Sequence, residues 1–255
     1  MSAVHAPRKR FGQHFLASPG VVAKIVAAID PQPGDVVVEI GPGLGALTEP
    51  LLARLPHLHV VEIDRDIVAR LAASHPPERL TIHAGDVLEF DFGTLPAGLR
   101  IVGNLPYNIS TPILFRLVPQ AARLRDMHFM LQREVVDRMV AAPSTAAYGR
   151  LSVMLQVRYA MARLFDVPPG AFRPPPRVDS AVIRMVPRAD APACDDAALA
   201  QVVTAAFTKR RKTLRNALAG AVREDALEAL GLDPRLRPEN LSVDDYVGLA
   251  RYAND

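Results

Sequence analysis

Asn104-Leu105-Pro106-Tyr107 is the stretch of this sequence whose residue types carry the most specific chemistry. A side-chain amide oxygen and a main-chain carbonyl beside a stiff proline can hold the exocyclic amine of a planar base, and a tyrosine ring offers a face for stacking. Such an amine is a poor nucleophile because its lone pair is delocalised into the ring. It is neutral at physiological pH, so it needs acceptors that aim the lone pair and no strong base. The same residues also read as a strand-ending turn with a half-buried tyrosine. Phe172 opens the proline-rich run Phe172–Ser180 and supplies a second aromatic on a stiff loop, placed to close over the other face of a flipped base. A core-anchoring phenylalanine is the ordinary alternative.

A second constellation lies upstream. Gly41-Pro42-Gly43-Leu44-Gly45 directly follows the apolar run Val36–Ile40. Glycines there let the backbone turn tightly and approach a ligand without a Cβ in the way. Their spacing is G-x-G-x-G and not the G-x-G-x-x-G of the dinucleotide fingerprint. Glu62 follows Gly43 by 19 positions, where a carboxylate accepts bonds from a ribose diol. The pair suits a nucleoside cofactor without a pyrophosphate, S-adenosylmethionine in preference to NAD. Asp86, in Ala84-Gly85-Asp86-Val87, is placed to accept a bond from the cofactor's adenine amine, and equally to form a turn.

These residues need a scaffold that brings them to one edge. Val36–Ile40, Leu58–Ile63, Leu80–His83, Arg100–Val102, Met127–Leu131 and Val178–Val186 read as strands. Helices are expected after Ser18-Pro19, around Leu47–Leu55, over Arg65–Ser74, from Ser110 and over Glu134–Val140. Strands alternating with helices predict a doubly wound α/β sheet with helices on both faces, whose ligands bind at the carboxyl edge. Beyond Ala189 the pattern turns helical, over Ala197–Phe207, Lys209–Ala219, Asp225–Leu230 and Val243–Tyr252. A boundary near Pro187 follows, giving a cofactor-binding domain over 1–187 and a small helical domain over 188–255.

Composition bounds the rest. Thirty Lys and Arg against 27 Asp and Glu leave a net charge of +3. Lys209, Arg210, Arg211, Lys212 and Arg215 form a local basic patch suited to phosphates, or else a solvated helix face. Arg8, Lys9 and Arg10 form a second basic group. The single cysteine, Cys194, excludes an internal disulfide and a thiolate cluster for zinc. Of the histidines, His57 and His59 would share a strand face, but no third ligand is near in sequence, so no metal is expected. No signal peptide is visible and no apolar run approaches the roughly 20 residues that span a bilayer. A cytoplasmic protein with no membrane association is expected, and a monomer.

With these residues assembled, the sequence resembles the small-subunit ribosomal RNA adenine N6,N6-dimethyltransferases of the KsgA type. The likeness runs over nearly the whole chain, through Arg8–Leu16, Glu39–Gly45, Gly103–Pro112, Phe172–Ser180, Phe207–Leu218 and Leu241–Tyr246. The resemblance implies a Rossmann-like catalytic domain followed by a small helical domain. It also implies S-adenosylmethionine held by His14, Leu16, Gly41, Glu62, Asp86 and Asn104. The implied substrate is two adjacent adenosines in the 3′-terminal hairpin of 16S ribosomal RNA within a pre-30S particle, in ribosome biogenesis. His14 stands where some members carry Asn. Three other readings compete: a large-subunit dimethylase of the antibiotic-resistance type, a non-catalytic RNA-binding assembly factor, and an NAD-dependent dehydrogenase. Leu241–Tyr246 favours the small-subunit type. The glycine turn, Glu62 and the Asn104 loop argue against a non-catalytic factor, and the glycine spacing disfavours the dehydrogenase.

Overall fold

A computed structural model describes residues 14–253. They form two compact units. One comprises the chain to Val136 together with Ala162–Val186; the other comprises Asp137–Met161 and the chain from Pro187.

The first unit holds a seven-stranded sheet, except for residues 159–161 and Pro187 at two strand ends. Its strands are β2 (Val37–Ile40), β3 (Leu58–Glu62), β4 (Leu80–Ala84), β5 (Leu99–Asn104), β6 (Leu124–Gln132), β7 (Tyr159–Val167) and β9 (Ser180–Pro187), in the spatial order β4-β3-β2-β5-β6-β9-β7. From β4 to β6 all neighbours are parallel, whereas β9 runs antiparallel to β6. Between these strands lie α1 (Pro19–Ile29), α2 (Thr48–Leu52), α3 (Arg65–Ser74), α4 (Ser110–Leu117) and α5 (Arg133–Met139). β2 is buried along its whole length, as a parallel strand covered on both faces must be. The chain steps outward from β2 through β3 to β4, then crosses back to place β5 on the other side of β2. The carboxyl ends of β2 and β5 therefore flank the point where the winding reverses, which is where open α/β sheets bind ligands.

Two-residue strands β1 (Phe15–Leu16) and β8 (Phe172–Arg173) make a separate antiparallel pair, with Leu16 opposite Phe172. At the far end of β5, the buried Arg100 spreads its guanidinium over four partners. It forks onto Asp126 with two bonds of 2.8 Å, reaches Asp35 at 2.6 Å and Asp30 O at 3.2 Å, and also donates to Ile29 O. The last two are carbonyls at the carboxyl end of α1, groups that no helical N–H can satisfy.

The second unit is mainly helical, with α6 (Arg150–Gln156), α7 (Asp196–Thr208), α8 (Leu214–Leu218), α9 (Ala226–Ala229) and α10 (Val243–Ala250). Its core includes the ring series Tyr148–Phe207–Tyr246, with centroids 6.1 and 5.8 Å apart. Two expectations differ here. Residues 137–161, read as part of the catalytic domain, cluster with the C-terminal helices. The single helix expected over Lys209–Ala219 is broken, because α7 ends at Thr208, a turn covers 209–212 and α8 starts only at Leu214. α6 and β7 have no counterpart among the elements the sequence pattern predicts.

His57, His59 and His83 form a ring cluster across β3 and β4, with His59 Nδ1 3.2 Å from His83 Nε2. Burial and the flanking His57 and His83 push His59 down to about 4, and burial also lowers His83. Burial likewise takes His128 to about 4. Folded-state values below the ordinary histidine value mean that the unfolded chain binds more protons between about pH 4 and 6.5. The stability these neutral rings contribute is complete above that window and is lost as pH falls through it. His59→Gln, which lacks the ring that the unfolded chain protonates, should therefore be more stable relative to the parent at pH 5 than at pH 7.5, as read from urea midpoints of both proteins at the two values.

Candidate active site

The carboxyl ends of β2, β3, β4 and β5, with the β1 segment, enclose a cavity of about 220 Å³ within the first unit. His14, Leu16, Gly41, Gly43, Glu62, Asp86 and Asn104 all line it, as do Leu105, Pro106 and Tyr107. The two constellations read from the sequence thus share one chamber.

Gly41, Gly43 and Gly45 all adopt positive φ, at 66°, 55° and 88°. That backbone carries the chain from β2 into α2 and is strained for any residue with a Cβ. Opposite, Gly103 of β5 is glycine for another reason: a Cβ there would lie 2.6 Å from Ile40 O of the neighbouring strand. At this one position β5 therefore passes the end of β2 too closely for a side chain.

Glu62 ends β3 almost fully buried and accepts a 2.8 Å bond from Asp64 N–H. Burial raises its carboxyl above the ordinary value, against main-chain N–H bonds from Asp64, Gly43 and Ile63 that favour the ionised form. Beside it Ile63 is 46% exposed, an apolar surface on the cavity wall suited to a purine face. Asp86 both lines the cavity and accepts the Leu88 N–H at 2.9 Å, so the turn reading and the cavity reading hold together.

At the end of β5, Asn104 Nδ2 donates to His14 O at 2.9 Å. This fixes which way the amide faces and leaves Oδ1 as the acceptor. In the loop, Pro106 O accepts from Ile109 N–H at 3.2 Å and Tyr107 O from Ser110 Oγ at 3.1 Å. Among the described residues no donor meets the Leu105 carbonyl, so Asn104 Oδ1 and Leu105 O are the acceptors available for an amine with two N–H groups. The Leu105 side chain itself is 1% exposed and serves the core. Tyr107 shares a 2.5 Å hydrogen bond with Ser180 Oγ, and its ring lies against His14 with centroids 5.7 Å apart at 30°. Burial holds its phenol above the ordinary value, hence neutral. His14 Nδ1 bonds Pro174 O at 2.9 Å, so this one residue joins the Asn104 amide, the Tyr107 ring and the proline-rich loop.

Two site expectations are corrected. Phe172 is fully buried in the core, because the β1–β8 register sets it opposite Leu16 and turns it inward; it does not line the cavity. The ordinary alternative holds. Arg210 is not a free cation, since it pairs with Glu239 at 2.6 Å and donates to Ala146 O at 2.9 Å. Lys209, Arg211, Lys212 and Arg215 are exposed, the first three in the turn after α7. Arg8, Lys9 and Arg10 lie outside the described residues. Among the described residues, no group of three or more His, Cys, Asp or Glu side chains is arranged to hold a metal.

Ile63 and one buried carboxyl group of the cavity were not legible as site residues in the sequence. Glu39, second to last in β2, is 2% exposed and accepts a 2.7 Å bond from Thr48 Oγ1. In the sequence it sits inside the otherwise apolar run Val36–Ile40. An acid inside such a run was the signal. With Glu62 and Asp86 it gives the cavity three carboxyl groups, and no Lys or Arg among its described lining residues. A chamber so charged suits a cationic ligand and opposes a pyrophosphate.

Comparison with known proteins agrees with this arrangement. The family model described as ribosomal RNA adenine dimethylase matches residues 4–255. A ribosomal RNA small subunit methyltransferase A from Thiobacillus denitrificans is 64% identical over 251 residues, covering 98% of each chain. Its namesake from Chromobacterium violaceum is 62% identical over 254 residues, covering 98% of this chain and 97% of that one. Among solved structures, the 23S rRNA methyltransferase ErmE matches with a TM-score of 0.67 at 25% identity, over 93% of this chain and 98% of its own. A dimethyladenosine transferase from Plasmodium falciparum shares the fold, with a TM-score of 0.81 at 24% identity, over 94% of this chain and 99% of that one. A cavity that joins the glycine turn to the Asn104 loop, and a family match over almost every residue, lead to one conclusion: this chain belongs to the ribosomal RNA adenine dimethylases.

Proposed function

We propose that this protein dimethylates the N6 amines of two adjacent adenosines in the 3′-terminal hairpin of 16S ribosomal RNA, using S-adenosylmethionine. The observation that carries the reading is the single chamber joining Gly41–Gly45 and Glu62 to Asn104–Tyr107. The relatives above 60% identity are named for the small subunit, whereas ErmE, named for 23S RNA, stands at 25%. That contrast favours the small-subunit substrate over the large-subunit alternative.

S-adenosylmethionine supplies a methyl group on a positively charged sulfur. Glu62 would hold the ribose hydroxyls, the Gly41–Gly45 backbone would admit the ligand closely, and Asp86 would take the adenine amine. Asn104 Oδ1 and Leu105 O would accept the two N–H bonds of the target amine, drawing its nitrogen toward sp³ geometry so that the lone pair points away from the ring. Tyr107 would stack the base. The cavity unit is then the catalytic domain and the helical unit the RNA-binding one. The reading extends to a cytoplasmic monomer acting on RNA within a pre-30S particle. Among the described residues no helix is long and apolar enough to cross a membrane.

Two measurements test it. Calorimetry should show S-adenosylmethionine binding, weakened by about 1–3 kcal/mol in Glu62→Ala through loss of charge-assisted bonds. Equal affinity in that variant, or preferential binding of NAD by the parent, would overturn the cofactor assignment. For RNA, replacing Lys209, Arg211 and Lys212 by Ala should weaken binding and flatten its salt dependence by up to about three counterions, leaving cofactor affinity unchanged. Arg210→Ala should act mainly on stability, given its pairing with Glu239. A parental salt slope in the triple variant would make the turn a merely solvated surface.

A further inference from the structure

Glu39 stands in the cavity without a role in the chemistry above. Its neighbours decide what it can do. From α2, Thr48 donates a hydroxyl bond of 2.7 Å; from β3, Glu62 contributes a second carboxyl to the same chamber. Its register partners Val60 on β3 and Val102 on β5 carry no charge. Among the described lining residues no Lys or Arg compensates either acid.

We propose that Glu39 is a specificity-determining residue that makes the cavity prefer the cationic sulfonium donor over its neutral thioether product, by giving up a proton when the donor binds. The inference rests on the reading of the cavity as an S-adenosylmethionine site and adds to it the basis for telling substrate from product. The two differ by a methyl group and by the positive charge on sulfur. Methyl transfer removes both, since the carbon–sulfur bond breaks with its electron pair left on sulfur.

Glu62 has main-chain N–H donors from Gly43, Ile63 and Asp64 to support its ionised form. Among the described residues Glu39 has the single hydroxyl of Thr48, and burial with the nearby Glu62 charge pushes its carboxyl up to about 7. Near neutral pH it is therefore divided between its acid and its carboxylate. A ligand with a fixed positive charge in a buried chamber draws it to the carboxylate, releasing a proton. A ligand with neutral sulfur exerts less of that pull. By linkage, the preference for donor over product grows as pH rises through this range and shrinks as pH falls.

Calorimetry of the intact protein with S-adenosylmethionine and with S-adenosylhomocysteine, from pH 6 to 8.5 in two buffers of different ionisation enthalpy, counts the protons directly. The expected result is greater proton release with the sulfonium. The donor-to-product affinity ratio should rise on the order of tenfold across the range. Glu39→Gln should remove the excess release and flatten the ratio. Thr48→Val, which keeps the acid and removes the bond that favours its ionised form, should move the transition to higher pH. Equal proton counts for the two ligands in the parent overturn the proposal, and that measurement stands even if Glu39→Gln fails to fold. An unchanged excess in a folded Glu39→Gln protein overturns it too. No binding of S-adenosylmethionine at all would overturn the cavity reading with it, whereas binding with equal proton counts removes only the role of Glu39.

Discussion

Asn104→Ala should lower the single-turnover rate of methyl transfer by roughly 100-fold or more while leaving RNA affinity nearly unchanged, with S-adenosylmethionine saturating. The argument starts from the target amine. In the ground state its lone pair belongs to the ring, and a neighbouring acceptor gains only an ordinary hydrogen bond. As the carbon–nitrogen bond forms, the nitrogen becomes positive and its N–H groups become much stronger donors. A fixed acceptor is therefore worth most in the transition state. Asn104 is fixed, because its Nδ2 is spent on His14 O at 2.9 Å and its Oδ1 can face only the chamber. Asn104→Asp is the informative companion. It keeps an acceptor but sets a carboxylate oxygen against the His14 carbonyl, so it should be impaired as well, through misorientation. An Asn104→Ala enzyme that makes dimethyladenosine at the parental rate under saturation would remove this loop from the mechanism.

Replacing Arg100 by Met should destabilise the folded protein by about 3–5 kcal/mol, the usual result of removing one partner from a buried ion pair. Arg100 is 4% exposed and Asp126 3%. Without the guanidinium, Asp126 keeps only loose neighbours among the described residues, Arg184 at 3.9 Å and the buried His128 ring at 3.8 Å, and the Ile29 carbonyl loses its donor while Asp30 O retains Gln32 Nε2 at 3.2 Å. Asp35 fares better because Arg125 reaches it at 2.6 Å. The double variant Arg100→Met, Asp126→Leu should recover much of the loss, since the orphaned charge is then gone. Urea denaturation measures both. A single variant within about 1 kcal/mol of the parent would show that water or side-chain movement satisfies these groups. Because Arg100 and the cavity lie at opposite ends of β5, cofactor affinity of the folded variant should be unchanged.

The sequence made the sheet legible where burial is two-sided and continuous. β2, β3 and β5 are short, mainly apolar runs, and a change of residue type marks where each stops, Gly41 just after β2, Glu62 at the end of β3 and Asn104 at the end of β5. The same criterion fails for α6, in which Leu151 to Leu155 are all buried, so no polar face marks a helical period. It fails again for β7, whose exposed residues at the sheet edge dilute any alternation. Missing these two elements placed residues 137–161 in the wrong unit. Phe172 and Arg210 misled for a different reason. Each is of the right type for stacking or for phosphate binding, but a long-range partner, Leu16 in one case and Glu239 in the other, had already claimed it. Such pairings depend on register and on contacts far apart in sequence, which no local pattern records. Glu39 was hidden by its surroundings, an acid read through as part of an apolar strand.

The adjacency of β2 and β5 turns a chemical requirement into a constant of backbone geometry. The loop assigned to the methyl donor and the loop assigned to the accepting base hang from the ends of strands that are hydrogen-bonded neighbours, separated by roughly 4.8 Å. Gly103, with no room for a Cβ beneath Ile40 O, lets that spacing persist to the ends of the strands. The offset between donor and acceptor is thus inherited from the main chain and is insensitive to what the surrounding loops and the helical unit become. A scaffold of this kind can exchange the surface that chooses the RNA while its ruler for the transferred carbon stays unchanged.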